Sequence, residues 1–145
     1  MLDRSFINKE YPPVTFEVEK QRLRFFSKAT GQTDPVYFDE AAARDAGYPG
    51  ILAPPTFLAT VPMEQDNPFA YLDDLKVDIG RILHGDQHYC YLAPIYAGDT
   101  ITMTSRIADM FDKKGGQLQF CCIKSTFTNQ HNALVATLEA SFVVR

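Results

Sequence analysis

The residues best suited to chemistry fall in one stretch, Thr30 to Phe57, which reads TGQTDPVYFDEAAARDAGYPGILAPPTF. Near its start, Gln32, Asp34 and Tyr37 sit around a turn signal, Thr33-Asp34-Pro35. Acid–base work near neutral pH needs a group whose pKa matches it. Glutamine cannot take up a proton there, and a phenol with an ordinary pKa of about 10 is a poor base. That leaves the Asp34 carboxylate, which also has a plain structural use. Pro35 pushes Asp34 out of the helical region, and its side chain is then placed to cap nearby backbone N–H groups. At the other end of the stretch, Pro54-Pro55-Thr56-Phe57 reads as a helix start with Pro55 at the first helical position. Neither proline has an N–H, so Thr56 and Phe57 are the first backbone donors there. Helix capping and ligand contact are both open to them.

Other polar runs carry less. His84 and His88 flank Asp86 on one face of an expected strand, but a rise of ~3.3 Å per residue puts them ~13 Å apart, too far to share one ion. No metal is expected. Ser27, Ser105, Ser125 and Ser141 lack the Gly-x-Ser-x-Gly setting of a serine hydrolase, and neither a phosphate loop nor a dinucleotide glycine fingerprint occurs. No cofactor is expected.

The elements that must hold these residues follow from periodicity. A short strand is expected over Val14 to Val18, then a helix from Glu19 with Arg22, Phe25, Phe26 and Ala29 on one side, Leu23 packing with Phe26 at i+3 spacing, and Gly31 as its stop. Asp39 is placed to cap a short helix over Glu40 to Ala46, ended by Gly47. The helix after Pro55 is apolar on most sides and should be buried, with Pro62 interrupting it. A broken helix and a loop are expected between Met63 and Gly80. Beyond Arg81 the period changes to two. Strands are expected over Gly85 to Leu92, Thr100 to Phe111 and Gln117 to Asn129, with a hairpin turn at Lys113-Lys114-Gly115-Gly116. Leu134, Ala136, Leu138, Ala140, Phe142 and Val144 form a last apolar stripe. The pattern predicts an α+β class, one antiparallel sheet folded around one apolar helix, within a single domain over residues 1–145.

Composition sets outer bounds. The chain has 145 residues, 46% hydrophobic and 22% charged, with a formal net charge of −4. That charge argues against nucleic acid or an anionic membrane as the main partner. No apolar run approaches the ~18 residues of a membrane span. The first residues, MLDRSFINKE, do not read as a secretory signal, and three cysteines, two of them adjacent, do not make a disulfide framework. A cytoplasmic home is expected.

Three blocks of the chain carry a resemblance: FEVEKQRLRFFSKATGQTDPVYFDEAAARDAGYPGILAPPTF, LHGDQHYCYLAPIYAGDTI and TFTNQHNALVATLEASFVVR. In order and spacing they resemble the MaoC-like hydratase/dehydratase group of hot-dog folds, in its type I fatty-acid-synthase-like (FAS1-like) dehydratase branch. The Tyr37-Phe38 pair, the Ala46-Gly47-Tyr48 turn and the Ala53-Pro54 approach to the helix resemble the non-catalytic, substrate-binding subunit of heterodimeric (3R)-hydroxyacyl-ACP dehydratases.

The resemblance implies a curved sheet around a central helix, and subunits joined edge to edge. The partner would be a second copy or a catalytic hot-dog subunit. The implied ligand is an acyl thioester on coenzyme A or acyl carrier protein. Active members hold a water on Asp and His of a Gly-Asp-x-Asn-Pro-Ile/Val-His motif, for addition to a trans-2-enoyl thioester or loss from a (3R)-3-hydroxyacyl thioester. Here Gln32 stands at the Asp position, Asp34 at the Asn position and Tyr37 at the His position. Ala53, Thr56 and Phe57 fall where the family's helix start faces the thioester. His84 falls in a run that resembles a His-Gly-Glu-Gln-like segment of the branch, implying a polar role near the ligand mouth; a solvated strand start is the simpler reading.

Three outcomes are open. The first is an acyl-thioester-binding subunit with a degenerate dyad. The second is an active hydratase/dehydratase or a thioesterase using Asp34 and Tyr37, or Glu40. The third is a non-enzymatic acyl-CoA-binding dimer.

Overall fold

In the computed structural model, which describes residues 1–145, alternating apolar residues build one five-stranded antiparallel sheet. Strand β1 (Glu10–Glu17) precedes helices α1 (Lys20–Ala29) and α2 (Glu40–Asp45), a central 3-10 helix (Phe57–Glu64) and α3 (Ala70–Leu75). Strands β2 (Ile82–Tyr91), β3 (Thr100–Lys113), β4 (Leu118–Thr128) and β5 (Leu134–Val144) follow. The strand order is β1-β3-β4-β5-β2, every pair antiparallel, so β1 and β2 are the edges. The α+β class and the sheet-around-a-helix arrangement are as the sequence predicts.

Strands β1, β2 and β3 run longer than their alternation suggested, because bulges let them change phase. Pro12 and Pro13 lie inside β1, where the register shifts between Tyr11 and Val14; proline has no N–H for the ladder. Gly85 sits in a bulge of β2 between His84 and Asp86, where a Cβ would lie 2.6 Å from Ser141 Oγ. In β3, Ile101, Met103 and Ile107 are buried, and a bulge before Asp109 then brings Met110 inward. The β5 stripe holds at Ala136, Leu138, Phe142 and Val144, while Leu134 at the strand start is exposed.

Helix α1 packs through Leu23 and Phe26 as expected, but on a face that leaves out Arg22, Phe25 and Ala29. Leu23 and Ser27 are fully buried and Phe26 packs on the core, but Phe25 is 77% exposed. At ~100° per residue, Leu23, Phe26 and Ser27 share one side and Phe25 points away from it. Gly31 ends the helix with φ +72°, a left-handed conformation suited to glycine. In α2, the expected cap is present: Asp39 Oδ1 accepts from the Ala42 N–H at 2.8 Å.

The main core gathers where β1, α1, the central helix and the sheet meet. Phe57, Leu58 and Val61 of the central helix pack against Phe16, Leu23, Ile101, Met103, Phe127 and Leu138. Phe57 meets Phe26 edge to face at 5.5 Å between ring centroids and Phe16 at 6.1 Å. A second cluster seats Leu72 and Leu75 of α3 on Ile107, Met110, Cys121 and Phe142. Cys121 is buried and Cys122 is on the opposite face of β4, both free. No helix is long and apolar enough to cross a membrane.

Truncation of Phe57 to alanine leaves a hole among three elements and is expected to cost ~3–5 kcal/mol in urea unfolding. Phe25→Ala should change stability by less than ~0.5 kcal/mol, since that ring is already in water. Equal losses at the two positions would show that α1 packs on its other face.

Candidate functional site

The site is assembled from three segments tied by backbone hydrogen bonds. The Leu52 N–H donates to Val36 O at 3.1 Å, and the Ala53 N–H donates to Ile95 O at 2.8 Å. A cavity of about 300 Å³ lies between the segment from Leu52 to Leu58, Tyr37, and the Tyr91 to Ile95 connection out of β2. Its walls are Leu, Ala, Pro, Phe and Ile apart from Tyr37 and Tyr91, which carry the polar side-chain atoms. Phe57 also borders a second, open groove of about 710 Å³ between α1 and the central helix, where Phe25 and Met63 lie exposed.

The approach to the central helix differs from the expected α-helical start. The Phe57 N–H donates to Pro54 O at 3.1 Å, closing a turn over Pro54-Pro55-Thr56-Phe57. Thr56 has φ 67° and ψ 0°, the conformation of the third residue of a type II turn, with proline in its favoured second place. Pro55 is therefore a turn residue, and the helix begins at Phe57. Its bonds run to the third residue back, as in Ala59 N–H to Thr56 O at 2.9 Å. Pro62 inside it has no N–H to give an α-helical bond.

That turn engages both of the predicted donors. The Phe57 N–H is held by Pro54 O, and the Thr56 N–H donates to Tyr91 Oη at 2.8 Å. Neither is free. Sequence reasoning missed Tyr91. Its one visible signal is the Tyr89 and Tyr91 pair on one face of β2, just before Ala93-Pro94. The two rings stack at 5.8 Å and 10°, and burial pushes the Tyr89 phenol up to about 12.

Of the other sequence candidates, Tyr37, Ala53 and Phe57 line the cavity, whereas Gln32, Asp34 and His84 do not. Asp34 caps the short 3-10 turn Pro35–Tyr37, its Oδ1 accepting from the Val36 N–H at 3.1 Å. Partial burial, then the neighbouring Asp34 carboxylate and Tyr48, raise the Tyr37 phenol above its ordinary value, which weakens it further as a base. His84 is exposed in β2 beside the Gly85 bulge, far along the strand from Tyr91. Glu40 is ion-paired with Lys20. No three His, Cys, Asp or Glu side chains come together as a metal site.

Comparison with known proteins agrees with this architecture. The family model described as FAS1-like, dehydratase domain region, matches residues 5–138. A UPF0336 protein of Streptomyces griseus is 34% identical over 145 residues, covering 99% of this chain and 95% of the relative. Among solved structures, a chain of the C-terminally truncated HadBC (3R-hydroxyacyl-ACP dehydratase) complex of Mycobacterium tuberculosis is 27% identical with a TM-score of 0.78. The match covers 95% of this chain and 96% of that one. A chain of the ChsH1–ChsH2 complex of the same organism shares the fold, at 21% identity and a TM-score of 0.78 over 94% of this chain and 84% of that one. The sheet wrapped on its central helix is the hot-dog fold of these MaoC-like dehydratases.

Two outcomes test the site's local physics. Thr56→Gly should be at least as stable as the native chain, with a gain of up to about 1 kcal/mol in chemical denaturation, because a β-branched residue is held at positive φ. Removal of the Tyr37 phenol by Tyr37→Phe should delete a component that ionises above pH 10 in ultraviolet titration. Since the folded-state value is raised, the stability tied to that group is complete below pH 10 and is lost as pH climbs through the raised value. A Tyr37 component titrating below pH 10 would contradict the site's geometry.

Proposed function

The chain belongs to the FAS1-like dehydratase family, and on that premise we propose that it is an acyl-thioester-binding subunit of an enoyl hydratase or (3R)-hydroxyacyl dehydratase. In this reading its own dyad is degenerate. The observation that carries it is the pairing of an apolar cavity of about 300 Å³ with a phenol, Tyr37, at the family's histidine position. The cavity offers an acyl group an apolar lining. Gln32 cannot accept the proton that hydration or dehydration must move, and Tyr37, held above its ordinary pKa, is protonated at neutral pH. The water chemistry then falls to an Asp and a His on another hot-dog subunit.

Two features favour such a partnership. Strand β2 is an edge, paired with β5 alone and exposed along most of its length, with Leu83 and Tyr91 half-exposed. The HadBC structure that this chain resembles is itself a complex. We place the chain, as a single domain over residues 1–145, in a homodimer or in a heterodimer with a catalytic subunit, in the cytoplasm. The ligand is an acyl chain on coenzyme A or acyl carrier protein, and no cofactor takes part. The enzymatic alternatives are weaker on geometry. Asp34 is occupied as a cap and lies outside the cavity wall, and Glu40 is held by Lys20.

Incubation of the purified chain with crotonyl-CoA and longer trans-2-enoyl-CoAs tests this directly. Hydration should be undetectable for the chain alone and should appear when a partner carrying the Asp/His dyad is added. Hydration by the chain alone, lost in Asp34→Asn or Tyr37→Phe, would overturn the degenerate-dyad reading. Release of free thiol would make it a thioesterase instead.

A further inference from the structure

Several hydrogen-bond donors around the cavity are already spent. Every backbone N–H that the family resemblance assigns to the ligand is already committed: Ala53 to Ile95 O, Thr56 to Tyr91 Oη and Phe57 to Pro54 O. The Leu92 and Ala93 N–H groups both donate to Val135 O, and Pro54, Pro55 and Pro94 have none to give. A phenol has one hydrogen to donate and two lone pairs. Tyr91 uses a lone pair to accept from Thr56, and its own hydrogen has no acceptor on the chain. A hydroxyl whose oxygen accepts a hydrogen bond becomes a stronger donor through mutual polarisation. The wall also holds no cationic side chain, so a carboxylate entering it would be desolvated with no opposite charge.

We propose that the Tyr91 hydroxyl, polarised by the Thr56 N–H, donates the hydrogen bond that recognises the ligand's carbonyl oxygen, and that this selects a neutral thioester over the free acid. The assignment rests on the acyl-thioester reading above and deepens it. At Thr56 the turn then acts through a side chain rather than directly. Thr56 is a positioning residue: its left-handed turn aims the N–H out of the helix and onto Tyr91. No bond is made or broken at Tyr91, which binds and orients the carbonyl while any proton transfer belongs to the partner's dyad. Tyr37 is the other phenol in the wall and the second donor available to a polar head group.

The test compares native protein and Tyr91→Phe for binding of three probes. These are trans-2-octenoyl pantetheine, whose arm is common to coenzyme A and acyl carrier protein, its S-octyl thioether analogue without the carbonyl, and octanoate. Thermal melting checks that Tyr91→Phe is folded, as expected for a half-exposed ring that loses one oxygen. The thioester should bind the variant roughly three- to tenfold more weakly, the loss expected for one neutral hydrogen bond. The thioether should bind both proteins alike, and octanoate should bind neither. The carbonyl stretch of bound thioester should lie at lower frequency in native protein than in Tyr91→Phe. Equal thioester affinity and equal frequency in the two proteins would overturn the role of Tyr91. Tighter binding by the variant would overturn it too, showing that Tyr91 merely plugs the Thr56 N–H. Binding of octanoate by native protein would overturn the selectivity. Failure of native protein to bind the thioester at all would instead remove the acyl-thioester reading on which the assignment rests.

Discussion

Phe57 fixes the geometry on which the site depends. Its ring is wedged between Phe16 of β1 and Phe26 of α1, with only 2% of its surface exposed. A ring held from two elements cannot rotate or slide without opening the core, which native packing density resists. The backbone just before it, Pro54 to Thr56, is stiffened by two prolines and closed by the Phe57 N–H. One buried side chain thus sets where the turn points, and the turn sets where the Thr56 N–H points. The cost is a threonine at positive φ, of the order of 1–3 kcal/mol, which persists because its neighbours leave it no alternative.

On the function proposed above, this arrangement separates two tasks, holding an acyl group and moving a proton. Holding an acyl group needs apolar wall area and a donor for one oxygen, and a phenol meets that need without charge. Moving a proton to or from carbon needs a base near neutral pH. The stretch around Asp34 offers none to the cavity, because the one carboxylate there is committed to capping the turn that carries Tyr37. That same carboxylate helps hold the Tyr37 phenol protonated, so the two residues oppose each other as an acid–base pair. A neutral wall also has a stability advantage. An unpaired charge facing this cavity would carry a desolvation penalty that a phenol avoids.

Much of the fold was legible because period-two alternation and turn chemistry are local. The β5 stripe, the Lys113 to Gly116 turn, the Asp39 cap and the Gly31 stop all depend on neighbours in sequence. Failures arose where a local pattern fits two structures. Phe25 and Phe26 are adjacent, so both cannot face the core, and aromatic content does not say which does; the positions of Leu23 and Ser27 decide it. Pro-Pro-Thr-Phe suits a helix start as well as a type II turn. The turn wins only through a φ at Thr56 that its β-branched side chain would not suggest. Bulges at Pro12-Pro13, Gly85 and Asp109 shift strand phase by one, which alternation alone cannot place.

The candidate site was half legible for the same reason. Tyr37, Ala53 and Phe57 lie within the stretch singled out from sequence and do meet at one cavity. Tyr91 reaches them from across the sheet, and the contact that matters joins its hydroxyl to a backbone N–H 35 residues away. No local pattern encodes such a pair. Edge position does supply a reason for it. Tyr91 ends a strand whose outer side is unpaired, so its side chain can reach over the sheet's rim to the turn without breaking a ladder. A partner docking along β2 would then press on the strand that carries this donor. On the proposed reading, subunit association and the geometry of the Tyr91 hydroxyl would be coupled through one short piece of chain.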